Sequence, residues 1–190
     1  MPPRARRRLG PRARGLSLIE LVIFIVIVSA ALAGVLNVFV AATLGSADPM
    51  LRRQALAIAE SLLEEVQLMP FTFCDPDDAN VETAAGSGAC ASAAEGPGAE
   101  AGENRFAPPQ FDNVNDYHGY SMASIVDITN SAVAGLAGYS ASVSVSSAAL
   151  GSIAAASGDA LRITVSVTGP HGTSVSLDGY RTRHAPNATL

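Results

Sequence analysis

The chain has 190 residues, 48% of them apolar, and a formal charge of −5, enough for one modest folded domain together with a hydrophobic anchor. All twelve basic residues are arginine, and six of them (Arg4, Arg6, Arg7, Arg8, Arg12 and Arg14) precede residue 16, whereas all seventeen acids follow it. From residue 16 onward six arginines face seventeen acids, a formal charge of −11 that would repel phosphate, which argues against nucleic acid as a partner.

Residues 1–15, MPPRARRRLGPRARG, combine proline, glycine and repelling charge and read as an unfolded leader. Basic residues flanking an apolar run are retained on the cytoplasmic side, so the rest of the chain is expected to face the opposite compartment. Residues 16–45 suit a helix roughly 45 Å long at 1.5 Å per residue, more than a bilayer core requires. Within it Ala30, Ala31, Ala33 and Gly34 offer small surfaces for neighbouring helices. One carboxylate, Glu20, stands near the start of this run, where an acid is costly and marks either function or a place at the headgroup boundary.

Residues 46–69 form a second, amphipathic helical segment. It either opens with Asp48 as N-cap and Pro49 in the first turn, or continues from the first through a kinked stretch at Gly45 to Pro49. Leu51, Ala55, Ile58, Leu62 and Val66 recur at three- and four-residue spacing and make one apolar stripe, with Arg52, Arg53, Glu60, Glu64 and Glu65 largely off it.

Residues 70–116 are rich in Ala, Gly, Pro, Ser, Asn and Asp without a sustained period, and read as a long surface loop. Cys74 and Cys90 lie here. In an oxidising compartment they are expected to bridge, with two free thiols as the alternative. Neither a CxxC spacing nor a nearby His/Cys cluster points to zinc. Asp112, Asn113, Asn115 and Asp116 are oxygen ligands of the kind calcium takes, and Asp112 and Asp116 are the candidate carboxylates. The spacing does not match an EF-hand, so a solvated turn built from Asx caps is the preferred reading and no metal or cofactor is expected.

From residue 117 to 184 the pattern turns to alternation. Four segments, 120–128, 139–147, 160–169 and 173–182, interleave β-branched or aromatic residues with Ser and Thr. GPHG between the last two is a compact turn and predicts an antiparallel hairpin. The expected class is α+β, with the stripe of the second helix packed on one face of an antiparallel sheet and residues 185–190 as a tail. His118, His171 and His184 are scattered without an adjacent nucleophile and acid, so no enzyme is expected.

RARG followed by LSLIELVIFIVIVSAALAG resembles the N-terminus of type IV prepilins and type II secretion pseudopilins: a basic leader ending in glycine, an apolar mature start, and glutamate at the fifth mature position. ADPMLRRQALAIAESLLEEV, FDNVNDYHGY and RITVSVTGPHGTSVSLDGYRTR are in addition similar to minor pilins of the mannose-sensitive haemagglutinin (MSHA) pilus system. The resemblance implies a lollipop-like chain, a long apolar helix carrying a small sheet head. It also implies cleavage between Gly15 and Leu16 by a prepilin peptidase and methylation of Leu16.

The helix would then pass from a single-pass position in the bacterial inner membrane, head in the periplasm, into a surface filament built with other pilin subunits by the inner-membrane assembly machinery. In that setting Glu20 would pair with the N-terminus of a neighbouring subunit. Leu16 departs from the commonest first residue, phenylalanine. A type II secretion pseudopilin shares this N-terminus and is the alternative within the family. The alternative outside it is a secreted soluble binding domain released at Ala33 by an ordinary signal peptidase.

Overall fold

The computed structural model describes residue 15 and residues 17–189, leaving aside the side chains of residues 43–48. The leader apart from Gly15, and Leu16 itself, therefore lie outside the described residues. Contacts divide the chain into two compact units, Met1–Ser46 and Ala47–Leu190.

Helix α1 spans Leu18–Leu68, and its helical backbone runs through Pro49. Of the two readings of the 46–69 segment, the structure adopts the continuous one: Pro49 lies inside the helix, so Asp48 does not open a new one. An interior proline removes one intrahelical hydrogen bond without ending the helix when the flanking turns hold. In the first unit Leu18–Ala42 has a mean hydropathy of 2.8 and buries none of its residues.

The second unit is α+β. Its sheet comprises β1 (Ser121–Met122), β2 (Ser140–Ser147), β3 (Ala160–Thr168) and β4 (Ser174–Thr182), antiparallel and in chain order. The period-2 alternation fixes its two faces. Val143 pairs with Val165 and Val145 with Ile163, and all four are buried, while Ser142, Ser144 and Ser146 face out. On the outer face short polar chains tie the strands, with Ser140 and Thr168 hydroxyls 2.6 Å apart and Thr164 Oγ1 donating to Asp178 at 2.5 Å. One packed and one solvated face is the usual state of a small antiparallel sheet.

Ala55, Ile58, Leu62 and Val66 of α1 cover the buried face, with Leu51 partly buried beside them. At about 1.5–3 kcal/mol for each large apolar side chain, this stripe is the main attachment of helix to sheet. Gly179, paired with Ile163, lets the helix approach: a Cβ there would lie 2.9 Å from Leu63 Cδ1.

One expectation is corrected. The first strand segment, 120–128, contributes only Ser121–Met122, because the chain leaves the sheet and folds back through a single bridge between Val126 and Ala132. Asp127 holds that turn, its Oδ1 accepting from the Thr129 and Ser131 amides at 2.9 Å each. Residues 70–116 are a loop of short 3-10 turns and isolated bridges that carries the Cys74–Cys90 disulfide, a bridge between Cys74 and Ala94, and a small core of Cys74, Val81 and Ala84. The tail is tied to this lobe by Asn187, whose Nδ2 donates to the Val81 and Ala84 carbonyls.

Candidate functional site

Three places carry chemistry. The first is the start of α1. Ser17 precedes the helix and its Oγ accepts from the Glu20 amide at 3.3 Å, while the Ser17 carbonyl accepts from Leu21 at 3.2 Å. Ser17 is thus the N-cap and Glu20 the acid of the first turn, where the helix dipole favours negative charge. The S-x-x-E pattern of Ser17 to Glu20 before an apolar run is the sequence signal for this cap. Gly15 and Glu20 are exposed, as are Leu18, Ile19, Leu21 and, apart from the half-buried Val28, the large apolar side chains that follow up to Val40. Leu16, the proposed methylation position, lies outside the described residues.

The second place is a polar knot where α1 meets the 105–127 region. Arg105 Nε donates to Glu65 Oε1 at 2.5 Å and Nη2 to Oε2 at 2.6 Å, a bidentate pair. Tyr117 OH adds a third bond to Glu65 Oε1 at 2.8 Å, and Arg105 Nη1 serves the Val126 and Asp127 carbonyls. Burial pushes the Glu65 carboxyl up, but the Arg105 and Tyr117 hydrogen bonds outweigh it and its pKa is lowered. The knot stands beside a groove of about 590 Å³ whose wall includes Ile58, Leu62, Met122, Ile125 and Leu136. Glu65 is off the apolar stripe, but it lies next to Val66 and one turn from Leu62, at the stripe's margin.

The third is an acidic face of the 70–116 lobe. Asn113 and Asp116 form a reciprocal capping box on the 3-10 turn Val114–Tyr117, an Asx-capped turn that is buried rather than solvated. The turn is anchored by Val114 donating to the Pro70 carbonyl at 3.0 Å and by Asn113 Nδ2 donating to Thr72 Oγ1 at 2.8 Å. The two candidate carboxylates are neighbours, since the Asp112 amide donates to Asp116 Oδ2 at 2.9 Å, but they belong to different groups. Asp112 gathers with Asp75 and Asp77, and Asp116 with Glu95 and Glu100, each trio offering oxygens within 4.8 Å of one another.

Burial, then the neighbouring acids, push Glu95 up to about 9 and Asp112 up to about 7. Burial raises Asp116 to about 6 against the opposing pull of the Asn113 and Asp112 amides. Glu95 and Glu100 stand in an Ala/Gly/Pro-rich stretch whose fold no local periodicity announces.

Asp78 is a separate, fully satisfied carboxylate. Oδ1 accepts from Asn80 and Ala91, and Oδ2 from the Ser92 amide and hydroxyl and from Ala93. These donors, the Ala91 amide first, hold its carboxyl far below the usual range. The histidines are apart from one another in the fold's roles: His118 Nδ1 accepts the Val145 amide at 3.2 Å and His171 occupies the β3–β4 turn with φ of 56°. Comparison of the chain with protein-family models, with curated proteins and with solved structures finds no match.

Proposed function

We propose that the chain is a minor pilin-like structural subunit of a type IV filament of the MSHA kind, anchored and then assembled through α1, with no catalytic role of its own. The observation that carries this reading is the apolar stretch Leu18–Ala42, which places none of its residues in an interior and starts next to a basic leader, Gly15 and Glu20. At 1.5 Å per residue it is about 37 Å long, enough to cross the hydrocarbon core with some tilt. Side chains such as Phe24, Ile27, Val35 and Phe39 are exposed, and water is a poor environment for so continuous an apolar surface. Lipid first and the helices of neighbouring subunits later would cover it.

Glu20 then has two tasks that can be separated. As the first-turn acid it favours the helix end; as an assembly group it would pair with the methylated amino terminus of the next subunit, Leu16. A soluble domain released at Ala33 fits less well, because Val35, Leu36, Val38, Phe39 and Val40 would remain exposed on its first turns.

The deciding experiment is the mass of the mature amino terminus. N-methylated Leu16 is the expected result, and a chain starting at Gly34 would overturn the reading. A bulky residue at Gly15 should leave only full-length protein. Glu20→Ala should be processed normally yet enter filaments poorly, whereas Ser17→Ala, which removes the cap alone, should assemble as wild type; equal defects in the two would reduce Glu20 to a cap. The set of filament proteins that co-purify with the subunit distinguishes a pilus from a type II secretion pseudopilus.

A further inference from the structure

We propose that the cleft where the β3–β4 turn meets α1 binds a phosphate-type anion carried on an organic body, with Arg52, His171, Thr173 and Ser174 as its donors. The site lies wholly in the second unit and is independent of the filament reading. Arg52 belongs to α1, His171 to the turn and Ser174 to β4, so three elements close on one space of about 320 Å³, which Gly172 and Thr173 also line. Arg52 borders a second space as well, of about 390 Å³, which follows β4 past Val175, Ser176 and Leu177 and is walled by Pro49, Arg53 and Leu56. The meeting of turn and helix is fixed by Tyr139. Its ring takes the room left by the missing Cβ of Gly169, and its hydroxyl donates to Gln54 Oε1 at 3.0 Å, two residues from Arg52. The Thr173 amide closes the turn on the Pro170 carbonyl at 3.1 Å. None of these bonds uses a side-chain donor of the cleft.

Three observations point to an anion. Thr173 is 8% exposed, and its Oγ1 is buried without a hydrogen-bond partner among the described residues. Leaving a buried hydroxyl unpaired is costly, and a ligand oxygen in the cleft would supply the missing acceptor. Arg52 and its neighbour Arg53 are exposed and pair with no acceptor among the described residues, whereas Arg105, Arg181 and Arg183 all donate to protein oxygens. The second unit holds six arginines against sixteen acids, yet no acid lines either space. Two adjacent, unneutralised guanidiniums beside an acid-free cleft make a local positive field in an otherwise negative unit. The third observation is His171, at φ 56° and ψ 26°, followed by Gly172 at φ 77°. Such a pair of left-handed residues makes a type I′ turn, whose first position the backbone alone would give to asparagine or glycine. An imidazole stands there instead, on the wall of the cleft.

The donor set selects the ligand. A guanidinium fork, an imidazole and two hydroxyls come from a helix, a turn and a strand. Donors from three sides match the tetrahedral oxygens of a phosphate, whereas a planar carboxylate is satisfied by the guanidinium fork alone. Leu56, Val175 and Leu177 are half-buried along the adjoining space and offer apolar contact next to the cationic end. A few convergent polar groups beside an apolar wall suit an organic phosphate better than the bare ion. A soluble phosphate ester and the phosphodiester of a lipid headgroup present the same group, and the test separates them.

The test uses the full chain in a neutral detergent, titrated by calorimetry with sodium phosphate and with phenyl phosphate. Phenyl phosphate should bind with a dissociation constant of about 1 mM or tighter, and sodium phosphate at least about threefold more weakly for want of the apolar contact. Arg52→Gln should weaken phenyl phosphate about tenfold or more, the share of one charge-assisted contact. His171→Asn suits the type I′ turn, so it should melt no lower than wild type and still bind about threefold more weakly. Arg162→Gln removes the same charge from the exposed face of β3 and should bind as wild type. No binding of either probe up to about 10 mM, or equal weakening in Arg162→Gln and Arg52→Gln, would overturn the site. Phenyl phosphate binding no tighter than sodium phosphate would overturn the organic body. Suppression of phenyl phosphate binding in phosphatidylglycerol nanodiscs, but not in phosphatidylcholine ones, assigns the lipid headgroup as the source; equal binding in both assigns a soluble ester.

Discussion

Replacing Arg105 with leucine tests whether the buried polar knot holds α1 to the 105–127 region. The substitution removes the two bonds to Glu65 at 2.5 and 2.6 Å, together with the donor that serves the Val126 and Asp127 carbonyls. Side-chain exposure is 7% for Arg105 and 22% for Glu65, so the carboxylate left behind is largely but not wholly shielded. Breaking a fully buried pair from one side costs about 3–5 kcal/mol, and partial access to water places this one near the lower end, about 3 kcal/mol. For a chain of this size that corresponds to a fall in melting temperature of roughly 6–12 °C.

The sign with pH is fixed by Glu65, whose folded pKa lies below its ordinary 4.5. Its contribution is complete above pH 4.5 and is lost as pH falls through the lower folded value, so the gap between wild type and Arg105→Leu should close in acid. Urea unfolding of the full chain in detergent, followed by tyrosine fluorescence, reads the effect, because the chain has four tyrosines and no tryptophan. Replacing the whole knot (Glu65→Leu, Arg105→Leu, Tyr117→Phe) should recover most of the loss, since no buried charge or hydroxyl is then orphaned. A loss below about 1 kcal/mol in Arg105→Leu, the value of an exposed pair, would refute the reasoning.

Gly169→Ala should cost about 1–3 kcal/mol, because its Cβ would fall 2.5 Å from a ring carbon of the buried Tyr139; Gly179→Ala should cost less, since it meets the movable ends of Gln67 and Leu63. The reverse order in urea titrations would contradict this packing. Peptide mapping without reductant should recover Cys74 and Cys90 linked, and reduction should lower stability by about 3 kcal/mol for a loop of this length; two freely alkylated thiols would refute the bridge. Asp78→Asn turns an acceptor toward five donors into a part-donor, and limited proteolysis between residues 75 and 93 should accelerate. Because its pKa is depressed below 3.8, Asp78 contributes fully above that pH and the wild-type lobe should loosen as pH falls further below it.

The parts of this chain that were legible beforehand are those whose geometry repeats. The stripe Ala55, Ile58, Leu62 and Val66 and the alternation of Val143, Val145, Ile163 and Val165 each repeat with the period of their element, so burial of one member implies burial of the rest. Glu65 broke that logic because a helix stripe has margins: a residue one step from the buried line is solvated or buried according to what the remote chain brings to it. Here the remote chain brings Arg105, forty residues away, and Tyr117.

The lobe of residues 70–116 was harder still. Its order comes from a disulfide, from Asp78 gathering amides and from the Asn113–Asp116 box, none of which has a period, and only the last is written in adjacent residues. The acidic trio follows from that lobe: Glu95 and Glu100 come beside Asp116 in a segment held by the Glu95 amide on the Phe73 carbonyl and the Gly98 amide on the Asn115 carbonyl. The same separation applies to Glu20. Its local part, a first-turn acid below Ser17, is contained in four consecutive residues, whereas the partner that would give it a second role belongs to another subunit and is accessible only to the assembly experiment.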